Sequence, residues 1–333
     1  MSLLRIEDLV SVFDTPQGVI RAVDGVNLHV EAGEVVGLVG ESGCGKTVLA
    51  LSILRLLVAP GRIDSGRILW KGSDLLKLGP KELRRVRGAQ IAIIFQEAAA
   101  SLNPVFTVGS QIAETIVVHK KVSRQEARRQ AIELLHTVAI PEPERRVDDY
   151  PHQMSGGMQQ RVMIALALSC DPDLIIADEA TTALDVTIQA QILELLDRLR
   201  RERGLAVLLI THDLGVVAEV ADRVAVMYTG RIVEEAPVRA LFREPRHPYT
   251  EGLLRSLPGA GTAAVRGRLA AIDGMVPDLA ALPVGCNFAP RCPDVFDACR
   301  HRNPSLRVVG EQRTAACEKF AEPSTSPVSH EKH

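Results

Sequence analysis

The chain has 333 residues, 46% of them hydrophobic and 24% charged, with a formal net charge of −2. That mix fits a soluble globular protein with one large domain and a smaller one, and it lacks the bulk basic field that would hold DNA or RNA. The N-terminus, MSLLRIEDLV, lacks a signal peptide's basic start and apolar run, and no stretch approaches ~18 uninterrupted apolar residues. The expectation is a cytosolic chain that reaches a membrane only through a membrane partner.

Residues 1–33 carry short β-like runs, LVSVF and the segment around VNLHV, separated by a turn at Thr15-Pro16-Gln17-Gly18. Glu34–Val39 is an apolar run ending at Gly40, which predicts a buried parallel strand. Thr47–Leu57 reads as a helix that is apolar on most sides. Ile91–Phe95 is another apolar strand, ending in Gln96. Residues 97–153 change character: SLNP, the charge-rich helical stretch SRQEARRQAIELLHTV and the turn-like PEPERR predict a mostly helical insertion in an α/β core. Gln160–Ser169 continues as a helix, and Val186–Arg203 is a helix between two further buried strands, Leu174–Ala177 and Leu205–Ile210. VAVMYTGRIVEEA predicts a hairpin turning at Thr229-Gly230. After Pro245 the pattern loosens; residues 246–320 are rich in Pro, Arg and Cys, and the tail 321–333 reads as disordered. There is no internal repeat.

GESGCGKT, from Gly40 to Thr47, fits the P-loop pattern G-x-x-x-x-G-K-[ST] in the strand–loop–helix context that the motif requires. The backbone N–H groups of residues 43–47 can wrap phosphates, helped by the partial positive charge of the following helix N-terminus. Gly43 and Gly45 permit the tight backbone, Lys46 is expected to reach the β and γ phosphates, and Thr47 to ligate Mg²⁺. Downstream, DLIIADE ends an apolar strand in Asp178 and Glu179, putting two carboxylates at the mouth of the sheet. One carboxylate can hold Mg²⁺ and the next can orient and deprotonate an attacking water. His212, after the strand LAVLLI, sits at the same edge and is expected to contact the γ-phosphate; Gln96 can bridge Mg²⁺ and the attacking water.

With MSGGMQQR at Met154–Arg161, these residues resemble an ATP-binding-cassette (ABC) ATPase over about residues 3–250. The resemblance implies an α/β P-loop ATPase core, a RecA-like parallel sheet plus an N-terminal antiparallel β part, in residues 1–96 and 154–246. It implies a helical subdomain at 97–153 and a C-terminal extension at 247–320. It assigns Gly40, Ser42, Gly43, Cys44, Gly45, Lys46 and Thr47 to the nucleotide loop, Gln96 to the Q-loop, Asp185 to the D-loop after Ala183-Leu184, and His212 to the switch. Ser155, Gly156 and Gly157 form the signature, which completes the ATP site of an opposite subunit; a serine hydroxyl and glycine N–H groups at a helix start make an anion site. Phe13 sits where the family places an aromatic under adenine, the alternative being a core phenylalanine in a strand. The signature reads MSGGM rather than LSGGQ, but the serine and both glycines remain. Cys44 stands where serine or alanine is common; backbone groups bind there, so little change is expected.

Ser101-Leu102-Asn103-Pro104, Tyr150-Pro151-His152-Gln153, His247-Pro248-Tyr249-Thr250 and Gly274-Met275-Val276-Pro277 narrow the resemblance to the ATPase subunits of bacterial dipeptide/oligopeptide importers, whose relatives carry nickel or other solutes. Ala98-Ala99-Ala100 departs from the Pro-containing segment common there. The implied partners are two integral-membrane permease subunits, a second ABC ATPase (a paralogue or self) in a head-to-tail dimer and, indirectly, an extracytoplasmic solute-binding protein. The implied location is the cytoplasmic face of the bacterial plasma membrane. Cys286, Cys292, Cys299 and Cys317 follow the spacing C-x5-C-x6-C-x17-C, and four thiolates can hold a [4Fe–4S] cluster or a tetrahedral zinc, or stay free. Some members of the peptide-importer family carry an iron–sulfur cluster at such cysteines. A soluble ABC ATPase acting on nucleic acid or ribosomes is the rival class; such proteins show two cassettes, a long coiled-coil insertion or basic stripes, none of which this chain has.

Overall fold

The computed structural model describes residues 2–179, 186–257 and 272–321. The chain begins with β1 (Leu4–Thr15) and β2 (Gly18–Val30), paired antiparallel from Leu4 opposite Val30 to Thr15 opposite Gly18. β3 (Val35–Val39) then runs into α1 (Lys46–Ile53). β4 (Gly61–Trp70) returns antiparallel to β1, and β5 (Ser73–Asp74) completes a sheet of order β2-β1-β4-β5. The helix expected over Thr47–Leu57 stops four residues early. Arg55 adopts a left-handed φ of 52°, and its guanidinium bonds the carbonyls of Leu75 and Leu78, fixing the turn there.

After α2 (Pro80–Val86), β6 (Ile91–Ile94) leads into a helical stretch: α3 (Ala98–Ser101), α4 (Val108–Lys120), α5 (Arg124–Thr137) and α6 (Pro143–Arg146). Thr107 and Ser123 cap α4 and α5 by accepting from the Ser110 and Glu126 N–H groups. Ile112 and Ile116 of α4 and Ala127, Ala131 and Leu135 of α5 are buried at helical spacing, against the core. PEPERR, read as a turn, instead contains the short α6, begun by Pro143 at its first position. Then come α7 (Gly156–Leu168), β7 (Leu174–Asp178), α8 (Val186–Arg203), β8 (Ala206–Thr211), α9 (Leu214–Val220) and the hairpin β9 (Arg223–Tyr228) and β10 (Arg231–Pro237). Thr229 and Gly230 both take positive φ at the predicted hairpin turn. The chain closes with α10 (Val238–Arg243), α11 (Pro248–Arg255), α12 (Asp297–His301), β11 (Arg307–Gly310) and β12 (Arg313–Ala315).

The second sheet has the order β11-β12-β10-β9-β3-β8-β7-β6, with β9, β3, β8, β7 and β6 mutually parallel. β3, β7, β8 and β9 are buried at every residue, which is why they read as unbroken apolar runs. Their side chains alternate between two cores. Ile175, Ala177, Val207 and Leu209 face the helices, and Leu174, Ile176, Leu208 and Ile210 face α1 and the antiparallel sheet. Truncating one such isoleucine to alanine is expected to cost about 2–5 kcal/mol. The C-terminal strands do not stand apart from this core: β12 pairs antiparallel with β10, Glu234 opposite Ala315, and extends the same sheet. No helix among the described residues is long and apolar enough to cross a membrane.

Candidate nucleotide site

Adjacent parallel strands deliver their C-terminal ends to one edge. β3 ends at Val39 before Gly40, β8 leads to His212, β7 ends in Asp178 before Glu179, and β6 precedes Gln96. The loop after β3 lies tight against its surroundings. A Cβ at Gly40 would sit 2.2 Å from the Met227 carbonyl oxygen, and one at Gly45 (φ 105°) 2.2 Å from that of Ala22. Glycine is therefore required at both positions by contact with backbone, not merely permitted. The Gly230 N–H donates to the Cys44 carbonyl (2.9 Å), and the Glu41 N–H donates to the Tyr249 hydroxyl (2.8 Å). Lys46 is 5% exposed and donates from Nζ to the carbonyls of Gly40 (2.8 Å) and Glu41 (3.1 Å). Ser42, Gly43 and Thr47 are exposed on the outer side. α1 starts at Gly45 with no side-chain cap, so the N–H groups of its first turn are available to an anion. Cys44 is fully buried, and burial pushes its thiol pKa up although Lys46 pulls the other way.

The carboxylates divide sharply by environment. Asp178 is buried, and its Oδ1 accepts from Thr47 Oγ1 at 3.3 Å; burial, and secondarily Glu179, push its pKa up against the pull of Thr47 and Lys46. Glu179 takes a left-handed φ of 47° while its N–H donates to the Ile210 carbonyl (2.9 Å). Its Oε2 accepts from Gln96 Nε2 (3.1 Å) and lies 3.5 Å from His212 Nδ1. The structure thus brings Gln96, Glu179 and His212 together beside Thr47 and Asp178. A divalent cation fits the paired Thr47 hydroxyl and Asp178 carboxylate, both oxygen donors.

The remaining expected residues lie elsewhere. Ser155 caps α7, its Oγ accepting from the Met158 N–H (3.4 Å), and Ser155 and Gly156 are exposed. Among the described residues no hydrogen bond joins Ser155, Gly156 or Gly157 to the P-loop. Phe13 is half-buried in β1 with its ring against Gly61. Asp185 lies outside the described residues, as do residues 322–333 of the expected tail. The sequence does not mark three further residues of the site: Glu41 within the loop, and Tyr249 and Arg291, which bond to it. The HPYT motif was the available signal for Tyr249. His247 caps α11 by accepting from the Tyr249 N–H, and its burial holds the imidazole's pKa down to about 4.

No disulfide links the six cysteines. No group of three or more His, Cys, Asp or Glu among the described residues is gathered to hold a metal ion, so neither expected alternative, a [4Fe–4S] cluster or a tetrahedral zinc, gains support here. Cys286, Cys292, Cys299 and Cys317 do line one small cavity, with Pro248, Phe288 and Phe296 among its walls. Burial pushes the Cys286 thiol up to about 11 and raises Cys292 and Cys317. A Cβ on Gly285 would meet the Cys299 carbonyl oxygen at 2.2 Å, so the chain around Cys286 closes directly on that of Cys299.

The ABC transporter family model matches residues 23–182, and the model for the oligopeptide/dipeptide transporter C-terminal region matches residues 233–299. The chain is 53% identical to a probable peptide ABC transporter ATP-binding protein of Sinorhizobium fredii, covering 95% of this chain and 94% of the relative. It is 49% identical to the dipeptide transport ATP-binding protein DppD of Escherichia coli (95% and 96%) and 49% to the oligopeptide transport ATP-binding protein AppD of Bacillus subtilis (96% and 98%). Among solved structures, a dimeric ATP-binding cassette in a post-hydrolysis state, bound to ADP and Pi, superposes with a TM-score of 0.65 at 29% identity. That match covers 71% of this chain and 99% of the other. With a P-loop backed by a carboxylate pair on a parallel sheet, and with relatives aligned over nearly its whole length, the chain belongs to the ATP-hydrolysing ATP-binding subunits of the ABC transporter family.

Proposed function

We propose that this chain powers the import of di- or oligopeptides by hydrolysing ATP on the cytoplasmic face of a bacterial plasma membrane. The observation that carries the reading is the meeting of Gln96, Glu179 and His212 at one sheet edge beside Thr47 and Asp178. In this reading the P-loop N–H groups and Lys46 bind the phosphates, and Glu179 accepts a proton from the attacking water. His212 and Gln96 orient the γ-phosphate and that water. Mg²⁺, held by Thr47, Asp178 and Gln96, supplies charge neutralisation at the phosphates. Ser155, Gly156 and Gly157 act on ATP bound to a second ATPase subunit, a paralogue or a second copy, and Asp185 works at the same junction.

Residues 1–96 and 154–246 form the ATPase core in this reading, 97–153 the helical insertion and 247–320 the extension. Two permease subunits dock on the helical insertion, where Val105 and Phe106 stand exposed after SLNP. A solute-binding protein delivers the peptide outside the cell; the relatives' names support peptide over nickel as cargo. Cys286, Cys292, Cys299 and Cys317 are the residues that would hold a [4Fe–4S] cluster, which when bound would cross-link the extension; their common cavity supports the reading, and they would have to draw closer than they stand here.

With Glu179→Gln, MgATP binding is retained, steady-state hydrolysis falls by about 10³-fold, and the ATP-bound protein elutes as a dimer. Hydrolysis near the wild-type rate removes Glu179 from its role. Cells lacking the chain lose uptake of a labelled dipeptide; unchanged uptake redirects the cargo. Protein purified without oxygen is expected to carry about four irons and four sulfides per chain; their absence leaves the thiols free.

A further inference from the structure

Glu41, the second residue of the P-loop, is held from the far end of the chain. Arg291 donates from Nη1 to Oε2 (2.7 Å) and from Nη2 to Oε1 (3.0 Å) of its carboxylate, a parallel two-bond grip. The Arg291 side chain is 4% exposed, and its Nε donates to the Asp273 carbonyl (3.0 Å). Its guanidinium lies 6.0 Å from the ring centroids of Tyr228 and Phe288. Tyr249, fully buried, accepts the Glu41 N–H, and its ring packs 4.5 Å from Tyr228 and 5.4 Å from Phe288. The Glu41 carbonyl, in turn, accepts from Lys46 Nζ. Each polar group of Glu41 is thus engaged, two of them by the C-terminal region and one by the lysine that meets the phosphates.

An acidic side chain inside a loop that binds a polyanion needs a reason to be harmless. Left unpaired, its charge would repel ATP, and a carboxylate half-buried beside the loop would seek other donors, including the loop's own N–H groups. We infer that Arg291 and Tyr249 are positioning residues for the nucleotide: the C-terminal region neutralises Glu41 and fixes its peptide, and so sets the P-loop and Lys46 for phosphate. The inference rests on the P-loop being the ATP site. It adds that this site is completed by residues outside the cassette itself.

The test is titration of the purified full-length chain with a fluorescent ATP analogue and Mg²⁺, with steady-state kinetics alongside. Arg291→Ala is expected to weaken binding about tenfold and to raise KM by a similar factor while kcat stays within about twofold. Arg291→Lys, which keeps the charge but loses the fork, falls between. Glu41→Gln alone is expected to weaken binding by about threefold, since an amide keeps only one of the two bonds from Arg291. In the double variant Arg291→Ala/Glu41→Gln the charge that Arg291 offset is gone, so affinity recovers to within about threefold of wild type. Tyr249→Phe weakens binding by about threefold. A merely structural Arg291 would lower the melting temperature without rescue by Glu41→Gln. If Arg291→Ala does not fold, Arg291→Lys and Glu41→Gln give the same comparison from both ends. Wild-type binding with unchanged affinity in the Arg291 variants overturns the inference alone; wild-type protein that fails to bind MgATP overturns the ATPase reading with it.

Discussion

The P-loop and the Ser155-Gly156-Gly157 turn are both glycine-bearing helix starts, and the molecule treats them in opposite ways. The P-loop is pressed against the carbonyls of Ala22 and Met227 and is hydrogen-bonded to Gly230 and Tyr249. The other turn caps its own helix, and a Cβ at Gly156 would meet nothing within 4 Å. Glycine at 45 is demanded by this chain's own fold; glycine at 156 is not. An unneeded glycine on an exposed helix start makes sense in the proposed reading, in which the space above it is filled by nucleotide on a second subunit.

Three variants sharpen or break this contrast. The largest effect is expected at Gly45→Ala, whose Cβ would collide with backbone at a strained φ. Nucleotide binding by equilibrium titration should fall by more than about 10²-fold, with a lowered melting temperature. Binding close to wild type there would show that the loop is not pinned. Next comes Gly156→Val, which the fold tolerates. Melting temperature and ATP affinity of the isolated chain should stay within experimental spread of wild type, while hydrolysis is expected to fall by about 10²-fold because, in the proposed dimer, the side chain would occupy the partner's phosphate position. Full hydrolysis by that variant would mean that the turn acts on nothing. The smallest effect is expected at Cys44→Ser. Buried, and with its thiol pKa pushed up by that burial, Cys44 should resist iodoacetamide at neutral pH in the native protein, and the serine variant should hydrolyse ATP within about twofold of wild type. Rapid alkylation with loss of activity would instead make it a redox-sensitive position.

What could be read in the sequence was local. An apolar run followed by Gly40–Thr47, or one ending in Asp178-Glu179, carries strand, loop and chemistry within a dozen residues, and β3, β7 and β8 lie where those runs placed them. The convergence of Gln96, Glu179 and His212 followed from a parallel sheet, whose strands deliver their ends to one edge. The length of α1 was misread because its end depends on Arg55 reaching carbonyls of Leu75 and Leu78, contacts that no helical pattern contains. Arg291 was invisible for the same reason on a larger scale. An arginine in a Pro- and Cys-rich stretch has no periodicity to betray it, and its partner lies 250 positions away. The cysteine spacing suggested a shared site, yet only the fold brings the four thiols around one cavity, without the close grouping that a bound zinc or iron–sulfur cluster requires.

The pairing of Glu41 with Tyr249 and Arg291 also sets an order of events during synthesis. Proteins emerge N-terminus first, at about 5–20 residues per second, and domains fold as they are completed. Glu41 leaves the ribosome 208 positions before Tyr249 and 250 before Arg291, and the β12 strand that pairs with β10 follows later still. The motif that binds nucleotide is therefore made well before the residues that hold it. A nascent cassette that has not reached Arg291 carries every residue of GESGCGKT without the full setting that holds it, so its ATP affinity is expected to rise as those later residues arrive.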